Sequence, residues 1–436
     1  MTRTRHRFLI AVACVTTVLS GADDVSAETL QDAWRTALSV DWTLKAAQSR
    51  VEAASAEHDA ARSERFPNVS VAAGVTRWRD TPAFDFSAVG LPGELPLFGG
   101  SSMKTSDARV SLPLYSSGRI GSAIDAAGAM LTARQRAAGS ATQEIKLGVA
   151  ESYIRVLRAA SALAVADATK TSLTAHTRDV DDMFQNGQVP RNDLLAASVS
   201  LADAEQRHLQ AQNALALANA AYNRRLGRPL GDPVQLDPSL PPIEAQLRSA
   251  PLEELAVLAW DHRDELAVLD ATHDALVAHS SAARAEGRPQ LALAGGYSML
   301  ENDFLNRDDF WSLGIEVRWS LLDGGRSRSR AGAFALEALA VEREQADLRS
   351  LIELAVREAW LNAGESRRRI PVAASAIEQA EENLRVVRDR YLQGEGTNTE
   401  VLDAEALIAA SRANADNARY DAVLAELRLA RATGTL

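Results

Sequence analysis

VSLPLYSSGRIGS, at residues 110–122, occurs a second time as VRWSLLDGGRSRS at residues 317–329. The correspondence continues without a gap over residues 110–227 and 317–434. Paired positions include Leu114 with Leu321, Gly118 with Gly325, Gly187 with Gly394, Leu195 with Leu402 and Gly227 with Gly434. An ungapped duplication of this length predicts two structurally equivalent units that have the same role in the molecule.

Each unit is predicted to contain a β-hairpin, because apolar residues alternate with small or polar residues on both sides of a loop. The alternation covers residues 68–78 and 108–114 in the first unit, and 291–297 and 311–321 in the second. Residues 79–104 carry prolines and paired glycines, which predict a long exposed loop between the first two strands. Four strands are therefore expected in the chain.

A long helix is expected after each hairpin. No proline interrupts residues 122–185, and the equivalent residues 329–393 contain only Pro371, which predicts a kink in the second copy. A helix over residues 122–185 reaches roughly 96 Å. Shorter helices are expected at residues 30–64, 193–226, 263–286 and 400–433, and the pairs 41–64 with 193–226 and 263–286 with 400–433 could stack end to end as second columns.

The first 27 residues have the organisation of a secretory signal peptide. A basic start precedes an apolar run at residues 8–19, and Val25-Ser26-Ala27 fits a cleavage site. The only cysteine, Cys14, lies inside this segment, so the mature chain is expected to lack a thiol and a lipid anchor on cysteine. The predicted organisation is a signal peptide (1–27), a first repeat (28–227), a proline-rich linker (228–250) and a second repeat (251–436).

Composition argues against several classes of function. The net charge of −11 disfavours a nucleic-acid partner. His273 and His279 are six positions apart, which is not the spacing of a helical zinc site. Ser101 and Lys104 have Ser-x-x-Lys spacing but lie in the long loop without companion motifs. The sequence therefore predicts no enzyme activity, no metal site and no cofactor.

The four strands have the length and alternation of membrane strands. Four strands cannot close a barrel, and a sheet edge exposed to lipid is not tolerated. Other copies of the chain must then complete the wall, and three copies give twelve strands. The alternative is an ordinary soluble pair of hairpins packed on helices. In the membrane interpretation, interfacial aromatic residues are expected at Trp78, Tyr297, Trp311 and Trp319.

Short motifs recur in the same order in both units. They are Asp41-Trp42-Thr43-Leu44 and Arg263-Asp264-Glu265-Leu266 at helix starts, Arg65-Phe66-Pro67 and Gly287-Arg288-Pro289 before strands, Leu114-Tyr115-Ser116-Ser117-Gly118-Arg119 and Leu321-Leu322-Asp323-Gly324-Gly325-Arg326 after strands, and the loops Gly187…Asp193-Leu194-Leu195-Ala196 and Gly394…Glu400-Val401-Leu402-Asp403-Ala404. With this order repeated twice, the whole mature chain resembles the TolC-type outer-membrane efflux channels, the outer membrane factor family.

The resemblance implies a mainly α-helical homotrimer with a twelve-stranded β-barrel in the outer membrane of a Gram-negative bacterium. A twelve-helix tunnel would continue the barrel through the periplasm. The implied function is passive exit, in efflux or type I secretion, for substrates of an inner-membrane transporter that is reached through a periplasmic adaptor (membrane fusion) protein. The alternative is a periplasmic coiled-coil adaptor or structural scaffold, although such an adaptor should carry only one helical hairpin. The sequence does not identify the substrate.

The resemblance also places the periplasmic aperture at the loops between the paired helices. In the family, acidic residues at the positions of Glu400 and Asp403 narrow this entrance, and trimeric symmetry would make each position a ring of three carboxylates, which favours cations. Asp193 occupies the repeat position equivalent to Glu400. The alternative for Glu400 is helix capping, because Thr397 and Glu400 have capping-box spacing.

The resemblance also bears on the positions of Gly396 and Tyr391. In the best-known member of the family, an aspartate at the position of Asp193 pairs with an arginine at the position of Gly396, so that lock must be absent here unless another residue such as Arg191 supplies it. Tyr391 matches a tyrosine of the same network, and its alternative role is packing at a helix end. The expected adaptor contacts, whose glycines could instead simply permit left-handed turns, are Gly187, Gln188, Val189, Gly394, Glu395 and Thr397.

Overall fold

The structure is a computed structural model, and it describes residues 27–80, 83–85, 94–96, 102–239, 250–301 and 307–436. The predicted signal peptide lies outside the described residues except for its last position. So do Ser101 of the Ser-x-x-Lys pair and residues 240–249 of the predicted linker.

Two successive sets of elements make up the protomer. The first set consists of α1 (Leu30–Val40), α2 (Trp42–Ser63), β1 (Asn68–Arg77), β2 (Ala83–Asp85), β3 (Glu94–Pro96), β4 (Ser102–Tyr115), α3 (Arg119–Gln185) and α4 (Arg191–Arg225). The second set consists of α5 (Leu252–His262), α6 (Asp264–Glu286), β5 (Gln290–Glu301), β6 (Asp309–Arg318), α7 (Arg326–Leu392) and α8 (Asn398–Thr433). The long helices α3 and α7 thus begin and end at equivalent positions of the duplication.

The predicted helical segment 30–64 is interrupted at Asp41, the helix start indicated by the motif Asp41-Trp42-Thr43-Leu44, and forms α1 and α2. The Asp41 backbone leaves the helical region with ψ 125°, and its N–H still donates to the Ala37 carbonyl at 2.9 Å. Its carboxylate then accepts from the backbone N–H groups of Thr43 and Leu44 at 2.7 and 3.1 Å. Asp41 therefore caps α2, as aspartate commonly does at a helix start.

Two strand boundaries also differ from the prediction. The strand expected at residues 108–114 begins earlier, at Ser102, and the strand expected at 311–321 ends at Arg318, before Trp319. The residues expected to form a loop at 79–104 include β2 and β3, which pair with each other. Hairpin pairing thus extends further from the helices than the alternation of side chains indicated.

Four strands form one antiparallel sheet in the order β1-β4-β5-β6. The register places Val69 opposite Val110 and Leu293 opposite Ile315, so apolar residues of neighbouring strands share one face. The largest exposed side chains of this face are those of Val71, Trp311, Leu313 and Ile315. The opposite face carries Asp107, Arg109, Glu316 and Arg318. Within the described residues, β1 and β6 are the free edges of the sheet.

Left-handed glycines turn the chain from the sheet into the long helices. Gly118 has φ 89° and Gly325 has φ 82°, a region that glycine enters at little cost. The helices α3 and α7 contain 67 residues each, which corresponds to roughly 100 Å. Pro371 lies inside α7 without ending it, and the kink expected there stays a prediction. None of the helices in the described ranges combines the length and apolar character needed to cross a bilayer.

The main core lies where the short helix α1 packs against α3, a region that we call the belt. Tyr153 and Tyr222 are fully buried there, with ring centroids 6.0 Å apart in an edge-to-face arrangement. The Tyr153 hydroxyl lies 2.7 Å from the carbonyl oxygens of both Glu28 and Asp237 and shares its one proton between them, and Arg228 pairs with both carboxylate oxygens of Glu28 at 2.7 and 2.9 Å. In the second unit α5 packs equivalently against α7, around Leu255 and Ile352.

Candidate functional site

The first tip, between α3 and α4, is closed by backbone hydrogen bonds. Gly187 has φ 71°, and its N–H donates to the Phe184 carbonyl at 2.9 Å. The N–H of Gln188 reaches back to the Met183 carbonyl at 2.9 Å. This pair of bonds satisfies the last carbonyls of α3 in a Schellman arrangement. Gly187 and Gln188 are exposed, whereas Val189 is half-buried.

The second tip, between α7 and α8, repeats this geometry and adds a capping box. Gly394 has φ 76°, and the N–H of Glu395 donates to the Arg390 carbonyl at 2.9 Å. The Thr397 hydroxyl accepts from the N–H of Glu400 at 3.3 Å, and the Glu400 carboxylate accepts from the N–H of Thr397 at 3.2 Å. Glu400 therefore stabilises the start of α8 and remains exposed at the tip.

The other two carboxylates have different surroundings. Asp403 is exposed and forms no ion pair within the described part of the chain, whereas Asp193 is half-buried. Arg191 forms no ion pair with Asp193 in the structure. A Cβ atom at Gly396 would lie 3.2 Å from the Glu400 carboxylate and 3.2 Å from the Tyr391 nitrogen, so the turn leaves little space for a side chain there.

A buried polar connection joins the two hairpins beside these tips. His176 of α3 and Asn398 of α8 are 2% and 3% exposed, and His176 Nε2 lies 2.7 Å from Asn398 Oδ1. The Asn398 amide nitrogen donates to the Asp193 carbonyl at 3.0 Å. No sequence motif had indicated these two residues. The repeat offers one signal, because neither residue is kept in the other unit. Asn383 occupies the position equivalent to His176, and Arg191 occupies the position equivalent to Asn398.

Tyr391 packs between the hairpins. It is 3% exposed, its ring centroid lies 5.6 Å from that of His176, and its hydroxyl has no partner within the described residues. Burial raises the pKa of Tyr391, and the charge of Asp193 raises it further. The apolar residues packed around it are Val180, Ala197, Val387, Val401 and Ala404. Within the protomer Tyr391 is therefore packed at the end of α7, and its place in the aperture network stays a prediction.

A second polar cluster joins the hairpins further from the tips. Glu405 is 2% exposed and accepts from Arg388 at 2.6 Å and from the Ser172 hydroxyl at 2.7 Å. These residues border an open cleft of about 330 Å³ between α3, α7 and α8. Because every charged group of the cluster has a partner, it acts as a structural contact. Among the described residues, no group of three or more His, Cys, Asp or Glu side chains could hold a metal ion.

Comparison with known proteins settles the family. The family model described as "Outer membrane efflux protein" matches residues 34–228 and 255–435. The chain belongs to the outer membrane efflux protein family. This match covers both repeats and omits the segment around the predicted linker, and it confirms the resemblance stated from the sequence motifs.

Individual relatives agree with the family. The outer membrane protein TolC of Vibrio cholerae serotype O1 is 26% identical over 308 residues, which cover 68% of this chain and 69% of TolC. The alkaline protease secretion protein AprF of Pseudomonas aeruginosa is 24% identical over 308 residues, covering 68% of this chain and 63% of AprF. The crystal structure of the outer membrane protein VceC from Vibrio cholerae superposes with a TM-score of 0.79 at 18% identity, covering 93% and 96% of the two chains.

Several predictions are confirmed by these findings. The fold is mainly helical with a strand portion, and it matches that of outer-membrane channels. The family comprises efflux and secretion channels of the outer membrane, so the predicted channel function and Gram-negative outer-membrane location are confirmed. The family consists of channel proteins rather than enzymes. The alternative of a periplasmic adaptor or scaffold is therefore not retained.

Proposed function

We propose that three copies of the chain form a passive conduit that spans the outer membrane and continues through the periplasm. The observation that carries the proposal is the sheet, which has one apolar face and two free edges, β1 and β6. An unpaired edge in lipid costs several kcal/mol for each unsatisfied backbone group. Pairing β6 of one copy with β1 of the next removes all edges after three copies and gives twelve strands.

The helices support the same assembly. In each repeat the long helix packs against both shorter helices, α2 and α4 against α3, and α6 and α8 against α7. Each repeat therefore contributes two columns, and three copies contribute twelve. The helix α7 exposes Leu336, Leu351, Leu354 and Leu361, each at more than half of its full area. A row of exposed leucines on a long helix is suited to contact with the next copy.

We assign the two tips to the periplasmic end of the conduit. They lie at the ends of α3 and α7 opposite to the sheet. A periplasmic adaptor is the proposed partner there, connecting the channel to an inner-membrane transporter that supplies the energy, and the channel itself performs no chemistry. The proposed contact residues are Gly187, Gln188, Val189, Gly394, Glu395 and Thr397.

Glu400 and Asp403 are the proposed selectivity residues of the aperture. Both are exposed on the first turns of α8, and three copies give two rings of three carboxylates. Rings of carboxylates favour cations over anions. Capping of α8 by Glu400 is compatible with this role, because the carboxylate that accepts from Thr397 stays accessible to water.

Conductance of the purified protein tests both proposals. The mature protein should be recovered from outer membranes as a detergent-stable trimer that conducts ions in a planar bilayer. Glu400→Ala with Asp403→Ala should lower the preference for potassium over chloride. A control that removes two exposed acids near the belt, Asp232→Ala with Glu253→Ala, should leave this preference unchanged. A soluble monomer would contradict the channel, and unchanged selectivity of the first variant would contradict the aperture assignment alone.

A further inference from the structure

The connection between His176 and Asn398 has one consistent hydrogen-bond pattern. Because the Asn398 amide nitrogen donates to the Asp193 carbonyl, its oxygen is the group that faces His176. An amide oxygen only accepts, so His176 must carry a proton on Nε2 and donate it. The result is a continuous chain of two hydrogen bonds from α3, through the first residue of α8, to the first turn of α4.

Within the described part of the chain, no other side chain near the tips provides this connection. The Tyr391 hydroxyl is buried without a partner, Asp193 forms no ion pair among the described residues, and Gly396 has no side chain. The cluster of Ser172, Arg388 and Glu405 lies further from the tips along α3 and α8. Of the side-chain hydrogen bonds that join the two hairpins within the described residues, those of Asn398 are nearest to the aperture.

We propose that the His176–Asn398–Asp193 connection holds the two hairpins of each protomer together and keeps the aperture closed. The proposal rests on the channel function proposed above. The closing contact is then a series of hydrogen bonds between uncharged groups. It is neither an ion pair of the Asp193 carboxylate nor a hydrogen bond from the Tyr391 hydroxyl. His176 and Asn398 are positioning residues that act on the aperture carboxylates through α3 and α8.

The burial of this connection gives it energetic weight. Removing one partner of a buried hydrogen bond leaves the other unsatisfied, which destabilises the arrangement that keeps it buried. In the structure the bond between His176 and Asn398 is buried and that between Asn398 and Asp193 is partly buried, whereas separation of the hairpins would expose the imidazole and the amide to water. Removal of either side chain is therefore expected to favour the open arrangement by about tenfold, since 1.4 kcal/mol corresponds to a factor of ten.

Single-channel recording on purified trimers tests the proposal. Asn398→Ala removes both bonds, and His176→Leu removes one. Each should raise the fraction of time spent in high-conductance states by about tenfold. His176→Gln keeps an N–H donor and should remain close to the wild-type protein. Tyr391→Phe should also behave like the wild type, because its hydroxyl makes no bond within the described residues.

His208 supplies the matched control. It is a partly buried histidine that lies 3.3 Å from Asp167, but this pair joins α4 to α3 inside a single hairpin. His208→Leu should leave the conductance unchanged, even where it lowers the unfolding temperature. A purely structural role for His176 would instead give equal effects of both histidine variants on stability and none on conductance.

The outcomes separate this proposal from the channel proposal. Wild-type protein that neither trimerises nor conducts overturns the channel. Conducting trimers in which Asn398→Ala matches the wild type overturn the closing role alone. Because Asn398→Ala only shortens a side chain at the first residue of a helix, it decides the question even where His176→Leu does not assemble. A large rise in conductance for Tyr391→Phe would assign the closing contact to Tyr391 instead.

Discussion

At the scale of the residue, burial and hydrogen bonding have opposite effects on the pKa of Glu265. Burial by itself raises the pKa of Glu265, but hydrogen bonds from Arg431 at 2.6 Å and from Ser140 at 2.8 Å bring it down to about 2, from an ordinary value of 4.5. The folded state therefore binds this proton more weakly than the unfolded state. Its stabilisation, about 3 kcal/mol, is complete above pH 4.5 and is lost as the pH falls toward 2.

Thermal unfolding between pH 6 and pH 2 checks this prediction. The unfolding temperature of the wild-type protein should fall more steeply below pH 4.5 than that of Glu265→Gln, which carries no titrating carboxylate at position 265. Glu253→Gln, at an exposed position, should follow the wild-type curve. Parallel curves of unfolding temperature against pH for the wild type and Glu265→Gln would show that the hydrogen bonds from Arg431 and Ser140 do not lower the pKa of Glu265.

A glycine at the chain end supplies a second prediction at this scale. Gly434 has φ 78°, and a Cβ atom there would lie 2.6 Å from the His262 carbonyl oxygen. Gly118 has φ 89° but open space around it. Gly118→Ala should cost about 1 kcal/mol for the left-handed backbone. Gly434→Ala should cost about 1–3 kcal/mol more, because backbone must move. Equal unfolding temperatures for the two variants would contradict the close approach of Gly434 to the His262 carbonyl.

At the scale of the element, α7 contains an internal defect. Pro371 has no N–H to donate to the Arg367 carbonyl, and helix-interior proline costs about 3 kcal/mol. Pro371→Ala should therefore raise the unfolding temperature. Pro190→Ala is the control, because Pro190 precedes α4 and no helical hydrogen bond is gained there. A lower unfolding temperature for Pro371→Ala would show that the bend expected at Pro371 is needed for packing.

The periodicity of the sequence predicted the helices and strands better than it predicted the contacts between them. The strands and long helices follow from alternation and from the repeat, because both depend on neighbouring residues. The start of α2 was readable from Asp41-Trp42-Thr43-Leu44, a local capping pattern. The contact of His176 with Asn398 joins positions 222 residues apart, so only the packing of α3 against α8 reveals it. The capping role of Glu400, in contrast, was readable from local spacing.

At the scale of the whole molecule, closure of the proposed barrel depends on which sheet edges of neighbouring copies meet. A sheet with edges β1 and β6 can close only through head-to-tail pairing of unlike edges. Such pairing places a residue of β1 beside β6 of the next copy and never beside β1. Ring closure after three copies then joins the barrel to the helical columns below it, so assembly of the sheet also positions the tips.

Cross-linking between sheet edges tests this claim most directly. Arg77 at the end of β1 and Asp309 at the start of β6 lie at the same end of the sheet, and the only native cysteine is Cys14 of the predicted signal. A chain carrying both Arg77→Cys and Asp309→Cys, treated in outer membranes with a short bismaleimide, should give covalent trimers. Each single variant should stay monomeric. Covalent dimers from a single variant, or no trimer from the double variant, would contradict head-to-tail closure of the barrel.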